Sequence, residues 1–352
     1  MSKGFESVKI KDIQRETEDC VSLELEIPTH LEEKFTFSSG QYLTFKTTVD
    51  KEEIRRSYSL CSAPFENTWR VAIKRVENGL FSNYAIHKLE IGAFIDVLPP
   101  MGNFTYTKDS AKKNIVLFAA GSGITPVISI AKTALKESKQ NVTLFYGNKG
   151  FGEVIFREEL ENLKNTYMNR FRVIHVFSRE NLGNPLQKGR IDEEKCEKLY
   201  TAFLKDEDIG SVFVCGPQQM ILAVKNTLIS KGLNEQDIHF ELFGTPTAGT
   251  EKKQVVRDSL STKVEIVIDN DSIEFDLNAT GPTILDAAQH AGADLPFACK
   301  GGVCCTCKAK VLEGNVDMDV NYALTKEELA DGYVLTCQAH PVSKFVKISF
   351  DD

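Results

Sequence analysis

The sequence has few histidines, no pairing rhythm among its cysteines and no long apolar run. Its six histidines are scattered over 352 residues without metal-ligand spacing, so we expect none of them to bind a metal. The longest uncharged stretch, residues 114–131, is interrupted by Gly121, Gly123 and Pro126, which argues against a membrane span. The first seven residues have no apolar signal core, so we expect no leader peptide and no membrane association.

Composition and cysteine usage place the chain among globular proteins of a reducing compartment. Apolar residues make up 42% and charged residues 26%, and the length favours two or three domains. Five of the nine cysteines are scattered without a pairing rhythm, which does not indicate a disulfide framework. The five cysteines are Cys20, Cys61, Cys196, Cys215 and Cys305. The lack of a disulfide framework favours a cytoplasmic location.

The other four cysteines have the spacing of a plant-type 2Fe–2S cluster. The pattern C-x4-C-x2-C is followed, after 29 intervening residues, by a fourth cysteine. Glycines in the first gap allow backbone amides to approach the cluster. A structural zinc site is the alternative, but zinc sites usually use paired C-x2-C knuckles, and here the fourth cysteine stands alone. The predicted ligands are Cys299, Cys304, Cys307 and Cys337, and Cys305 is interpreted as a small filler residue.

The net charge of −8 arises entirely from the part of the chain that carries these cysteines. From residue 261 onward there are 7 lysines and 15 acidic residues, whereas the rest has 35 basic and 35 acidic residues. Such an acidic surface predicts docking to a basic redox partner and argues against nucleic-acid binding. Solubility alone is the alternative explanation.

The hydrophobic pattern divides the chain into three units. Residues 1–108 form a series of short alternating patterns, for example at 69–74, and predict an antiparallel β-barrel. Residues 109–245 alternate apolar strands, such as 114–120 and 212–214, with helices, which predicts a doubly wound parallel sheet. Residues 246–261 are polar and read as a linker. Residues 262–352 begin with a hairpin and a helix (283–291) and contain the cysteine loop, so they form the predicted iron–sulfur domain.

Two motifs in the first unit carry a family resemblance. Arg56-Ser57-Tyr58-Ser59 is followed by Gly79-Leu80-Phe81-Ser82 and then by the glycine loop of the second unit, and this order resembles the ferredoxin–NADP reductase family. The resemblance implies that Arg56 pairs with a flavin phosphate, Tyr58 packs on the isoalloxazine and Ser59 lies near its N5. It also implies that Ser82, with amides around Gly79, holds the pyrophosphate. Lys74, Leu80 and Phe81 complete the implied flavin-side set.

The second unit carries a glycine loop between a strand and a helix, at Gly121-Ser122-Gly123-Ile124-Thr125-Pro126. Its exposed amides predict a phosphate site. Pro126 stands where a dinucleotide fingerprint has its third glycine, which disfavours a Rossmann dehydrogenase and fits the reductase family. Within that resemblance, Thr125 lies near the nicotinamide.

Further motifs of the second unit imply catalytic and specificity residues. Cys215-Gly216-Pro217 resembles the family motif beside the nicotinamide ring, and Glu241 matches an acidic residue near the flavin edge. Ser178-Arg179 resembles the pair that binds the adenosine 2′-phosphate, and Arg190 is an additional candidate. NADPH is therefore favoured over NADH. A buried structural Cys215 and a solvated Arg179 are the alternatives.

The order of the three units is that of oxygenase reductases. The chain resembles the reductase subunits of phenylacetyl-CoA epoxidases in segments such as residues 119–126, 189–192, 294–304 and 332–337. The resemblance implies FAD, a β-grasp ferredoxin domain with a 2Fe–2S cluster, and electron delivery from NADPH to a di-iron oxygenase, expected to be a phenylacetyl-CoA epoxidase. The alternatives are an NADH-dependent reductase of a ring-hydroxylating or steroid oxygenase, and a non-enzymatic redox carrier.

Overall fold

Three main sheets follow one another along the chain. A computed structural model describes residues 4–108, 114–244 and 260–351. The elements of these ranges fall into an antiparallel barrel, a parallel sheet covered by helices, and a small mixed sheet. The predicted linker, 246–261, lies outside the described residues up to residue 259, and its last residue, Ser261, already begins a strand.

The first sheet is a six-stranded antiparallel barrel. Its elements are β1 (Glu6–Thr17), β2 (Cys20–Glu26), β3 (Tyr42–Val49), β4 (Glu52–Ser59), β5 (Trp69–Lys74), α1 (Leu80–His87) and β6 (Phe94–Met101). The strand order is β4-β3-β6-β1-β2-β5, and a bridge between Leu60 and Val71 closes the barrel between its two edges. Alternate residues such as Leu23 and Phe45 point inward and are fully buried, as period-two patterning requires.

The second sheet is parallel and has five strands. Its elements are β7 (Asn114–Ala120), α2 (Ile124–Glu137), β8 (Asn141–Asn148), α3 (Arg157–Thr166), β9 (Phe171–Phe177), α4 (Glu193–Phe203), β10 (Ile209–Gly216), α5 (Gln218–Ser230) and β11 (Ile238–Leu242). The strand order is β11-β10-β7-β8-β9. The apolar run of β7 is buried on both faces, because side chains from helices cover each side. Strand order reverses between β7 and β10, and ligands bind at such switch points.

The last unit is built on a five-stranded mixed sheet and a short two-stranded one. Its elements are β12 (Ser261–Ile268), β13 (Asp271–Asn278), α6 (Ile284–His290), β14 (Lys308–Glu313), β15 (Val316–Met318), α7 (Lys326–Ala330), β16 (Tyr333–Leu335), β17 (Ala339–Pro341) and β18 (Phe345–Ser349). The larger sheet has the order β13-β12-β18-β14-β16. The hairpin β12–β13 is antiparallel, whereas β12 and β18 pair in parallel. The hydroxyl of Thr283 accepts the Asp286 amide hydrogen and caps α6.

The predicted fold class is confirmed by this architecture. The barrel, the parallel sheet and the small mixed sheet occur in the expected order. Among the described residues, the longest helices are too short or too polar to cross a bilayer.

Candidate cofactor sites

Three cysteines of the predicted ligand set, Cys299, Cys304 and Cys307, lie in the loop after α6, and Cys337 joins them from the turn between β16 and β17. The Sγ atoms of Cys299 and Cys304 lie 3.1 Å apart, and the Gly301 amide donates to Cys299 Sγ at 3.3 Å. Hydrogen bonds with the thiols of Cys304 and Cys337, and with nearby amides, lower the pKa of Cys299 and favour its thiolate. The Cys337 thiol also interacts with that of Cys307.

This arrangement fits a binuclear cluster. Within the described ranges, no three His, Cys, Asp or Glu side chains are arranged to hold a single metal ion. A 2Fe–2S cluster distributes its four thiolates over two irons, so its ligands surround an extended core rather than one point. Cys305 points elsewhere: its thiol donates to the Ala323 carbonyl at 3.4 Å. The four thiols and the amide that donates to Cys299 fit the donor set of a 2Fe–2S cluster.

The R-x-Y-S motif occupies the last four residues of β4. Arg56 is exposed and Tyr58 is half-buried, with its ring 5.4 Å from that of Phe81. Ser59 is buried and donates to Glu241 Oε2 at 3.1 Å across the boundary between barrel and parallel sheet. Burial raises the pKa of Glu241 to about 8, against the effect of the Ser59 hydrogen bond. The carboxyl therefore carries a proton at neutral pH, although its side chain still reaches solvent in part.

The Gly79–Ser82 segment forms the start of α1. The Ser82 hydroxyl accepts the Val76 amide hydrogen at 3.0 Å and donates to the Gly79 carbonyl at 3.3 Å. Its hydroxyl thus shapes this turn and leaves the first-turn amides as the donors for a phosphate. Phe81 is buried beneath Tyr58, whereas Leu80 is exposed. Phe81 therefore belongs to the barrel core and supports Tyr58.

The glycine loop connects β7 to α2 at the switch point. A Cβ atom at Gly123 would lie 2.1 Å from the Cys215 carbonyl oxygen, so only glycine permits this approach to β10. Tyr146 donates to the Gly121 carbonyl at 3.1 Å and fixes the loop from β8. The Thr125 hydroxyl donates to Ser122, and Pro126 occupies the first turn of α2, where a missing amide hydrogen costs nothing.

Two clefts lie beside the predicted site residues, with volumes of about 510 Å³ and about 670 Å³. The larger of these two lies at the carboxyl edge of the parallel sheet. The larger cleft is lined by Lys74, by Asn148 and by nine residues that belong to the predicted nucleotide site or are adjacent to it in the sequence. The buried side-chain amide of Asn148 has no hydrogen-bond partner in the described structure, which fits a polar ligand. Those lining residues are Gly121, Ser122, Gly123, Ser178, Arg179, Gly189, Arg190, Gly216 and Pro217.

The three specificity candidates are brought together by local hydrogen bonding. The Gly189 amide donates to the Phe177 carbonyl at 2.8 Å, so Arg190 is held beside Ser178 and Arg179. Both arginines are exposed in the cleft. Lys74 reaches the same cleft, where its Nζ lies 3.6 Å from Glu153. Lys74 thus faces the nucleotide side rather than the interior of the barrel.

Two predicted nicotinamide-side residues lie beneath the cleft surface. Cys215 is fully buried, and Thr125 is 2% exposed. Burial raises the pKa of the Cys215 thiol, so it remains neutral. In this arrangement Cys215 supports the floor of the site and does not line it.

Sequence reasoning missed an interface between the barrel and the cysteine loop. The Cys305 amide donates to Tyr42 Oη at 2.9 Å, and the Thr306 and Thr44 hydroxyls lie 3.2 Å apart. The Asn103 side chain donates to Glu328 at 2.6 Å. The smaller cleft, lined by Tyr42, Glu241 and Cys304 among others, lies where the three units meet.

Family models match each of the three units. An oxidoreductase FAD-binding domain matches residues 7–106, an oxidoreductase NAD-binding domain matches 117–226, and a 2Fe-2S iron-sulfur cluster binding domain matches 266–342. These matches follow the same order as the three sheets.

Similar proteins of known function align with nearly the whole chain. The chain is 41% identical to a component of the 1,2-phenylacetyl-CoA epoxidase of Escherichia coli K12, over 99% of this chain and 98% of that one. It belongs to the reductase components of oxygenases. The ferredoxin reductase component of 3-ketosteroid-9-alpha-monooxygenase from Rhodococcus rhodochrous is 33% identical over 97% of this chain and 95% of its own length.

Membership of this reductase family gives the general function. The chain is an oxidoreductase that uses a nicotinamide nucleotide, FAD and a 2Fe–2S cluster to supply electrons to an oxygenase. The predicted function class is confirmed at this level.

Solved structures share the fold. Phthalate dioxygenase reductase is similar with a TM-score of 0.61 at 23% identity, covering 99% of this chain and 98% of that one. An intact type IV self-sufficient cytochrome P450 monooxygenase is similar with a TM-score of 0.71 at 22% identity, covering 98% of this chain and 41% of that one. At this identity the likeness concerns the arrangement of the units.

Proposed function

We propose that this reductase takes electrons from NADPH and delivers them, through FAD and the 2Fe–2S cluster, to a di-iron phenylacetyl-CoA epoxidase. The observation that carries the proposal is the continuity of the three sites. The nucleotide cleft, the Ser59–Glu241 pair and the cysteine loop follow one another across the boundaries between the units. The 41% identity to an epoxidase component over 99% of the chain supports this choice of oxygenase.

The nucleotide is held at the carboxyl edge of the parallel sheet. The Gly121–Pro126 loop offers its amides and the start of α2 to the pyrophosphate. Ser178, Arg179 and Arg190 bind the 2′-phosphate of NADPH, because a fork of donors with positive charge suits a dianion. Gly216 and Pro217 border the nicotinamide end, and Thr125 and Cys215 support it from below.

The flavin is held by the barrel. Arg56 pairs with its phosphate, the first-turn amides of α1 bind the pyrophosphate, and Tyr58 packs against the isoalloxazine. Ser59 fixes the Glu241 carboxyl at the flavin edge, and this carboxyl holds a proton at neutral pH because burial raises its pKa to about 8.

The cluster is held by Cys299, Cys304, Cys307 and Cys337. Amides of the loop, such as that of Gly301, stabilise the thiolates. When bound, the flavin would supply the conversion of a two-electron hydride into single electrons, and the cluster would supply one-electron transfer. The residues of this chain supply the binding, the orientation and the control of protons.

An oxygenase that acts on a steroid is the second candidate. The 33% identity to a 3-ketosteroid-9-alpha-monooxygenase reductase component supports this candidate. A reductase of either oxygenase would have the same cofactor motifs, so these motifs do not distinguish the two. The two candidates differ in the surface that meets the oxygenase.

A cytoplasmic location completes the proposal. None of the nine cysteines, all within the described residues, forms a disulfide, and a reducing compartment keeps the five outside the cluster set as thiols.

Anaerobic kinetics with purified components test the proposal. We expect the reductase to reduce a phenylacetyl-CoA epoxidase with NADPH faster than with NADH, and faster than it reduces a ketosteroid monooxygenase. Cytochrome c is a surrogate acceptor that separates a reductase from a mere carrier, because a carrier gives no NADPH-driven reduction. Equal rates with both oxygenases would remove the argument for the epoxidase, and a higher rate with NADH would remove the argument for NADPH.

A further inference from the structure

Arg55 and Arg56 are neighbours in β4, yet their side chains lie on different faces. Arg55 is only 5% exposed, and its guanidinium meets the iron–sulfur domain. Its Nη1 donates to the Leu295 carbonyl and its Nη2 to Asp294 Oδ1, both at 3.0 Å. The ring of Phe297 lies 4.3 Å from the guanidinium carbon. One arginine therefore binds a carbonyl, a carboxylate and an aromatic face of another domain.

The β3–β4 ribbon has two faces with different partners. Side chains of a strand alternate, so Arg55 and Ser57 share one face, and Arg56 and Tyr58 share the other. On the first face Thr44 contacts Ser57 at 2.9 Å and also contacts Thr306 of the iron–sulfur domain at 3.2 Å. The second face carries Arg56 and Tyr58, two of the residues assigned to the flavin, whereas Ser59 lies at the end of the first face.

The first face contacts two segments of the cysteine loop, one before the first cluster ligand in the sequence and one between the second and third ligands. Asp294 to Phe297 lead directly into Cys299, and Cys305 and Thr306 stand between Cys304 and Cys307. Arg55 holds the incoming segment, and Tyr42, bonded to the Cys305 amide, holds the middle of the loop. The same strand pair therefore fixes the flavin-binding residues and the cluster loop.

We propose that Arg55 is a positioning residue that docks the iron–sulfur domain on the flavin barrel and thereby sets the rate of electron transfer between the two. The inference rests on the proposed route through FAD and the cluster. A planar guanidinium suits this role because it binds Leu295 and Asp294 together, which an ammonium group on a lysine does not. Its third nitrogen, Nε, donates to Glu53 at 2.8 Å, so the fork is held in place from the barrel side.

The test uses the complete holoprotein and two variants from opposite sides of the contact. Arg55→Ala removes the guanidinium, and Asp294→Asn removes the charge of its partner, a side chain that is 45% exposed. Glu274→Gln is the matched control, because it removes a carboxylate ion-paired with Lys263 within the same domain. Anaerobic stopped-flow mixing with reduced nicotinamide follows flavin bleaching and cluster reduction separately.

The docking role predicts that Arg55→Ala slows the reduction of the cluster but not the reduction of the flavin. Flavin reduction stays within about twofold of wild type, since no proposed nucleotide or flavin contact is lost. Cluster reduction slows by about tenfold or more in Arg55→Ala, because the docked form becomes a minor population. The double variant is no slower than Arg55→Ala, as expected for two residues that act through one contact.

A structural readout accompanies the kinetics. Small-angle X-ray scattering is expected to show a larger radius of gyration for Arg55→Ala and Asp294→Asn, and an unchanged radius for Glu274→Gln. Cluster reduction at the wild-type rate in folded Asp294→Asn and Arg55→Ala would overturn the docking role. If Arg55→Ala does not fold, Asp294→Asn alone decides. If neither NADPH nor NADH reduces the flavin of the wild-type protein, the proposed function is refuted instead.

Discussion

Replacement of Arg179 by alanine tests the assignment of the 2′-phosphate site. Arg179 follows β9 and faces the nucleotide cleft with Ser178 and Arg190, because Gly189 is bonded back to Phe177. A charge-assisted hydrogen bond contributes about 1.5 to 3 kcal/mol, and the exposed position of Arg179 favours the lower end of that range. The variant is therefore expected to lose roughly 10- to 100-fold in kcat/KM for NADPH.

NADH provides the internal comparison in this experiment. It lacks the 2′-phosphate, so kcat/KM for NADH is expected to stay within about twofold. Arg172→Ala is the matched control, since Arg172 lies on β9, the strand that leads to Arg179, and pairs with Glu207 at 3.5 Å, away from the cleft. The assay is steady-state reduction of cytochrome c at fixed ionic strength with each nucleotide. Equal losses for NADPH and NADH, or a loss in neither, would refute the assignment.

Three other variants address the flavin, the cluster and the partner. Cys337→Ser is expected to abolish the cluster absorbance and leave flavin reduction by NADPH intact, and loss of both would contradict separate sites. Burial raises the pKa of Glu241 from 4.5 to about 8, so wild type loses stability as the pH rises between those values. The Tm advantage of Glu241→Gln should grow from about pH 5 to about pH 8 and then level off, whereas a constant Tm difference would argue against a protonated carboxyl. Glu313→Gln combined with Asp331→Asn, two exposed sites, should slow reduction of the oxygenase and weaken its salt dependence; an unchanged rate would count against electrostatic docking.

Local patterns predicted most of the fold. The apolar run of β7 and the alternation of β5 predicted the observed strand limits, since burial on two faces leaves a continuous apolar run and burial on one face leaves an alternation. The strand β10 was predicted only in its centre, Val212–Val214, because its ends are glycine-rich and polar. Its flanks depend on pairing with β7 and β11.

The candidate site was predictable where its residues are close in the chain. The cysteine spacing and the R-x-Y-S motif identified groups that the structure brings together. The contact between Tyr42 and Cys305 joins residues 263 positions apart and leaves no periodic signal. Arg55 was visible only as a neighbour of Arg56, and its role depends on which face of β4 meets another domain.

The burial of Cys215 shows a second limit of motif reasoning. A motif gives the order of residues along the chain, whereas the exposure of a thiol depends on packing. In this structure β10 packs between α2 and neighbouring strands, and Cys215 lies in that core. Its assignment beside the nicotinamide stays a prediction.

An anaerobic NADPH titration, monitored by visible and EPR spectroscopy, tests the central claim most directly. Electron transfer through tandem modules predicts one flavin and one 2Fe–2S cluster per chain, both reduced by the nucleotide, with a cluster EPR signal that appears after the flavin bleaches. Reconstituted protein that is colourless, or that keeps its colour when NADPH and NADH are added, would contradict the account.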